Sequence, residues 1–135
     1  MVAKKLKVIE IKRSEYTAFK KRAEDLYLGM VNAERAALWS TVGLTAVHCA
    51  ISMSDALTVH YLGKRSSGDD HFQAKDLLGR IPVETARNYL VALSKIIAKK
   101  NAVASDGREF TRNEAIDIFK QAERFYQWGI KNLPS

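Results

Sequence analysis

Arg65 and His71 are the residues in this chain whose types and spacing best fit a site that cleaves phosphodiesters. Five residues, 66–70, separate them. An arginine can bind a phosphate through paired hydrogen bonds, and a histidine can move a proton near neutral pH. Short spacings of this kind also arise by chance, and a helix cap with solvent-exposed charges explains the same segment. Two interpretations follow: a metal-independent ribonuclease that uses Arg65 and His71, or a solvated loop.

A second group of residues has the composition of a phosphate-binding surface. It consists of five basic side chains and one asparagine around a predicted turn between two helices: Lys95, Lys99, Lys100, Asn101, Arg108 and Arg112. Cations of this kind bind backbone phosphates without reading bases, so their affinity falls steeply with salt. We call these six residues the basic turn surface.

Polar residues within an apolar stretch form a third candidate group. Residues 36–54 contain no Lys, Arg, Asp or Glu, and Asp55 follows directly. His48 and Asp55 share a helical face but are about 10 Å apart along the helix axis, which is too far for a hydrolytic triad. We therefore predict that both are buried, hydrogen-bonded polar groups in or beside a packed or dimeric core. Asp55 needs a cation, which Lys64, Arg65 or a basic residue of a neighbouring helix can supply.

Metal and cofactor chemistry find no support in the sequence. The three histidines have no zinc-like spacing, and no glycine-rich phosphate loop is present. Cys49 has no second cysteine to pair with, which favours a reducing compartment and an inert, packed thiol. We predict no metal, no cofactor, no secretory signal and a cytoplasmic location.

The elements that position these residues depend on the charge-free segment 36–54. It is either a membrane span or the central helix of a compact helical bundle. Serine, threonine and small residues interrupt it, with little of the Leu, Ile and Phe density that membrane insertion favours. We therefore predict a core helix and no membrane.

Apolar residues at spacings of three and four predict helices along the remaining chain. The chain has 135 residues, which fits one domain. The expected fold is all-α: an antiparallel up-and-down four-helix bundle with an additional short helix. The predicted helices are 14–30, 33–62, 71–78, 83–100 and a last one that begins with a capping box at Thr111 and Glu114. No sheet is expected, and the short run 6–11, which mixes apolar and basic side chains, is either a strand that adds to another element or a flexible lead-in.

Positive charge is concentrated at the N-terminus. The whole chain carries a net charge of +7, and its first 22 residues hold eight basic and two acidic side chains. We divide the chain into a basic N-terminal arm, 1–13, and a helical domain, 14–133. Such an arm either binds an anionic partner such as nucleic acid or serves as a solubilising tail.

The order of these elements resembles HEPN-domain proteins. The likeness covers residues 14–133 and lies in three features: a basic first helix with Tyr and Phe, a small-residue helix ending in residues 46–57, and the segment 114–128. The resemblance implies a helical bundle, a homodimer, and in some members a nucleotidyltransferase-type protein partner. Many members are RNA-cleaving toxins or their inactive relatives.

The resemblance also implies where a ribonuclease motif would lie. The family's ribonucleases carry an arginine, four to six residues and a histidine near the start of the last long helix. The nearest segment by position is Lys100 to Ser105, where lysine replaces the arginine and serine replaces the histidine. Asn101 matches the asparagine that often follows the arginine in the family's motif. Serine cannot replace imidazole in acid–base catalysis. We therefore expect RNA or nucleotide binding, or a non-catalytic partner role; the alternatives are the Arg65 and His71 ribonuclease and a structural protein-interaction module.

Overall fold

The chain is mostly helical, which confirms the all-α class. The computed structural model describes residues 8–67 and 71–135, and for residues 71–72 and 102–106 it describes the backbone alone. Within these ranges the elements in chain order are β1 (Val8–Glu10), α1 (Tyr16–Arg35), α2 (Trp39–Leu62), β2 (Lys64–Ser66), α3 (His71–Leu78), α4 (Arg87–Asp106) and α5 (Arg112–Lys131). Short 3-10 turns precede α1 and α4.

The apolar helix α2 lies at the centre of the fold. It packs against α1, α4 and α5, and its buried residues include Val42, Ala46, Ala50, Met53 and Leu57. In the described part of the chain, α2 is the helix that is long and apolar enough to cross a membrane, and 72% of its apolar window is buried in the protein. Small side chains along α2 allow the neighbouring helices to approach closely, as the core-helix prediction required.

The boundary between α1 and α2 differs from the sequence prediction. Residues 33–35 were expected to begin the central helix, but they end α1. Ala37 has a φ of 57°, and the N–H of Leu38 donates to the carbonyl of Ala33 at 2.9 Å, which is the hydrogen bond of a Schellman motif. Glycine usually occupies this left-handed position, so an alanine there gives no sequence signal.

A two-stranded sheet replaces part of the polar loop expected after α2. β1 and β2 pair antiparallel, with Ile9 opposite Arg65 and Val8 opposite Ser66. Gly63 ends α2 with a φ of 68°, and its carbonyl accepts a hydrogen bond of 2.9 Å from the N–H of Ile11. The expectation of no sheet was wrong because each strand has only three residues, too few for a period to be seen.

The last helix begins as its capping box predicted. The Thr111 side chain accepts from the N–H of Glu114 at 3.2 Å, and the Glu114 carboxylate accepts from the N–H of Thr111 at 3.0 Å. The predicted inner face of α5 is buried, including Ala115, Ile118 and Phe125. The predicted short helix also has the expected bounds, His71–Leu78.

Replacement of Gly129 by alanine tests the close approach of α5 to α2. A Cβ on Gly129 would meet Cγ and Sδ of Met53, which is fully buried. Because overpacking of a core displaces side chains, we expect Gly129→Ala to lower the free energy of unfolding by about 1–3 kcal/mol in urea denaturation.

Gly29→Ala is the matched control within a helix. Its Cβ would meet Thr45 Cγ2 at 3.7 Å, an ordinary contact. Alanine is the better helix former, so this variant is expected to gain about 0.5–1 kcal/mol. Equal effects of the two substitutions would contradict the packing described.

Candidate anion-binding site

Two arginine side chains from different elements each lie close to the ring of Phe19. Arg22 lies one turn further along α1 and Arg65 lies in β2, and each guanidinium carbon is 5.6 Å from the ring centroid. Contact with an aromatic face orients a guanidinium group and leaves its N–H donors available for planar acceptors. We call Phe19, Arg22 and Arg65 the arginine site.

Arg65 has donor capacity that the described part of the protein does not use. Its Nη1 donates to the carbonyl of Ser66 at 3.1 Å. Its Nε is buried and has no hydrogen-bond partner among the described residues. Buried donors are nearly always paired in folded proteins, so this unpaired N–H is an exception.

Asp55 of α2 lies within the electrostatic influence of both arginines. The carboxyl is half-buried, and burial raises its pKa from 3.8 to about 7, while Arg65 and then Arg22 act in the opposite direction. None of the ion pairs among the described residues involves Asp55. Arg65 and Arg22 are therefore the cations that the sequence predicted for Asp55. Their charges lower its pKa, although neither forms an ion pair with it among the described residues.

His48 was predicted to lie in or beside a packed or dimeric core, and in the single chain it lies outside the core. His48 is exposed, as are Thr41 and Leu44 earlier on the same helix, and Leu44 exposes 53% of its surface. The neighbouring helices leave this stripe of α2 uncovered. Thr41 and His48 are polar, so only the exposure of Leu44 had no signal in the sequence.

The predicted partner of Arg65 lies at the start of α3. His71 is the first residue of that helix, but its side chain is outside the described residues, as are residues 68–70. The structure thus includes Arg65 in the arginine site, and the pairing of Arg65 with His71 stays a prediction.

Glu114 neutralises part of the basic turn surface. Lys99 Nζ is 2.6 Å from Glu114 Oε2. Arg108 donates to both oxygens of the same carboxylate, at 2.7 and 2.8 Å. The hydrogen bonds from Arg108 and then Lys99 hold the pKa of Glu114 well below its usual range. Two of the predicted phosphate ligands are therefore already occupied.

The other members of the basic turn surface are arranged differently. Lys95 and Asn101 are exposed on α4, and the Arg112 guanidinium lies 5.9 Å over the ring of Trp39. Lys100 is half-buried and has interactions of its own. The surface is positive, but the carboxylate of Glu114 lies among its cations.

No metal site is found in the described ranges, since no group of three or more His, Cys, Asp or Glu side chains there could hold an ion. The thiol of Cys49 is buried, burial raises its pKa to about 12, and it donates to the carbonyl of Ala23 at 3.5 Å. This is the inert, packed thiol that the sequence predicted.

Comparison with known proteins finds no relative of this chain. No family model, no curated protein and no solved structure matches it. Function is therefore inferred from the chemistry of the described side chains.

Sequence reasoning missed Phe19 and Arg22 as site residues. The available signal was their spacing of three on a predicted helix, which brings two side chains together on one face. That spacing is common in helices. It acquires meaning only when β2 brings Arg65 to the same ring.

Asp55→Asn tests the state of the half-buried carboxyl. Because the folded protein holds the pKa of Asp55 at about 7 against an ordinary 3.8, ionisation opposes folding increasingly as pH rises between these values. Asparagine avoids this penalty. We expect the variant to gain on the order of 3 kcal/mol in free energy of unfolding at about pH 8, and nearly nothing at about pH 4.

Urea denaturation across this pH range measures the effect. Asp117→Asn is the control, because Asp117 is exposed and hydrogen-bonds Gln121 on the same helix. Surface substitutions of this kind change stability by less than about 0.5 kcal/mol. A gain from Asp55→Asn that is the same at both ends of the pH range would contradict the raised pKa.

Proposed function

We propose that this protein binds RNA through backbone phosphates at the arginine site. The observation that carries the proposal is that guanidinium groups from two elements, Arg22 of α1 and Arg65 of β2, each lie 5.6 Å from the centroid of the Phe19 ring. Guanidinium groups match phosphate oxygens in planar, paired hydrogen bonds. Neither arginine belongs to an ion pair among the described residues, so an external anion does not have to displace an internal carboxylate.

The β1 and β2 pairing supports a larger basic surface around this site. It sets Val8 beside Ser66 and Ile9 beside Arg65. Lys64, the residue before Arg65 in β2, is exposed. Several cations near one phosphate chain give a binding energy that depends strongly on salt and little on base sequence.

The arginine site is a better candidate than the basic turn surface for the primary contact. In the latter, Glu114 occupies Lys99 and Arg108 and repels a phosphate. In the arginine site the nearby carboxyl is Asp55, whose raised pKa means that it is often neutral near pH 7. A neutral carboxyl does not repel a phosphate and can donate a hydrogen bond to it.

We infer further that the four long helices form an antiparallel up-and-down bundle of the HEPN type. Short connections, 36–38 and 107–111, join α1 to α2 and α4 to α5, and short connections favour reversal of direction between successive helices. The resemblance to HEPN proteins supports RNA as the anion, because many members of that family act on RNA.

Removal of both arginine charges tests the proposal. We expect the double variant Arg22→Gln, Arg65→Gln to bind a single-stranded RNA at least about tenfold more weakly than the unmodified protein. Its plot of log affinity against log salt should be shallower by about 1.4, since two phosphate contacts are lost. Fluorescence anisotropy of a labelled RNA at several salt concentrations measures both quantities.

The matched control is the double variant Arg35→Gln, Arg124→Gln. Both residues are exposed, and the change in net charge is the same. Equal loss of affinity in the two double variants would reduce the proposal to non-specific attraction by net charge. Cleavage of the RNA, abolished by His71→Ala, would instead support the ribonuclease that uses Arg65 and His71.

A further inference from the structure

An aromatic cleft lies where α1 begins and α2 ends. Its volume is about 480 Å³. Its lining residues come from the turn before α1, from both helices and from the segment before α4: Arg13, Ser14, Tyr16, His60, Tyr61 and Pro82. We call these six residues the aromatic cleft.

The rings of the cleft hold one another in place. Tyr16 and His60 are in edge contact, with ring centroids 4.8 Å apart, and His60 and Tyr61 are in a similar contact at 4.6 Å. The Tyr61 hydroxyl donates to the carbonyl of Asn132 at 2.5 Å, which anchors its ring to the end of α5. A ligand therefore meets a prearranged aromatic wall, and little side-chain entropy is lost when it binds.

The polar groups of the cleft favour an anion attached to a flat ring. Arg13 is exposed and forms no ion pair among the described residues, and the described residues that line the cleft include no carboxylate. Tyr16 and His60 provide ring surface with polar edges, and Ser14 provides a hydroxyl. A cation beside half-buried aromatic rings is the arrangement that binds a nucleotide, with its phosphate on the cation and its base on the rings.

We propose that the aromatic cleft binds one unstacked nucleotide of a single-stranded RNA. This inference rests on the RNA binding proposed above. The base lies against Tyr16 and His60, and the adjoining phosphate lies on Arg13. The contacts to the rings are independent of sequence, because every base has a π-face.

Residues that are neighbours in the fold link the cleft to the arginine site. Tyr16 and Phe19 are three residues apart on α1, which places them on adjacent turns of one face. On the other side, the Arg13 side chain lies beside Gly63, which directly precedes β2 and Arg65. One RNA strand can therefore contact the arginine site with its phosphates and the cleft with a base.

This geometry predicts selectivity for single strands, because a duplex keeps its bases stacked and paired. We expect the unmodified protein to bind a short single-stranded RNA about tenfold more tightly than the same RNA annealed to its complement. His60→Ala and, separately, Arg13→Gln should each lower the affinity for the single strand more than the affinity for the duplex, and so remove most of that preference. Arg13 is exposed, so its variant remains informative if His60→Ala fails to fold. Arg35→Gln is the control and should keep the preference.

A second measurement separates failure of the cleft from failure of the arginine site. Adenosine 5′-monophosphate is titrated while the His60 imidazole signals are followed by NMR, with His60→Ala used for assignment. We expect these signals to shift in the unmodified protein and equally in the Arg22→Gln, Arg65→Gln variant. Unmoved signals, or equal affinity for single-stranded and duplex RNA, would overturn the cleft proposal. Absence of all RNA binding with shifted signals would overturn the arginine site alone.

Discussion

The structure depends on the need to cover an uncharged helix. α2 has no charged residue before Asp55, and an apolar surface of that length is stable in water only when other helices bury it. α1, α4 and α5 do so, and close approach requires small residues where backbones meet. Gly43 lies against the ring of Phe110, and Gly129 lies against Met53. Each of these contacts leaves no room for a Cβ, so packing of α2 restricts sequence on its partners as well.

The residues of the proposed RNA contacts lie near the C-terminal end of α2. Near its C-terminus α2 becomes polar, and Asp55 and His60 meet residues of α1 and β2. Asp55 and Arg65 are half-buried there, and Arg22 is exposed. Burial raises the pKa of Asp55. In the basic turn surface, Glu114 forms ion pairs with two of the cations, Lys99 and Arg108. The arginine site and the basic turn surface therefore differ in whether their cations already form ion pairs among the described residues.

The proposed RNA contacts use two kinds of interaction, which are weakened by different conditions. Phosphate binding by Arg22 and Arg65 depends on long-range charge and therefore weakens with salt. Stacking on Tyr16 and His60 depends on contact and requires an exposed base. A strand that uses both gains affinity from the first and discrimination against duplexes from the second. The two share a surface only because β2 returns the chain to the start of α1.

Interactions between residues three or four apart were readable from the sequence, because a helix brings such residues together whatever surrounds it. The capping box of Thr111 and Glu114, the bounds of α3 and the inner face of α5 are of this kind. The need of Asp55 for a cation was also readable from its uncharged neighbours.

Contacts between distant parts of the chain were decided by the tertiary structure alone. A three-residue strand has no detectable period, so the sequence did not predict which strand pairs with β1. It also did not predict that Arg22 and Arg65 both lie close to the Phe19 ring. The exposure of His48 followed from which side of α2 the neighbours left open. The ion pairs of Glu114 depended on the docking of α4 against α5. The sequence by itself determined which elements form and which residues need partners, and the packing of those elements determined who the partners are, because partner choice depends on distances that only folding sets.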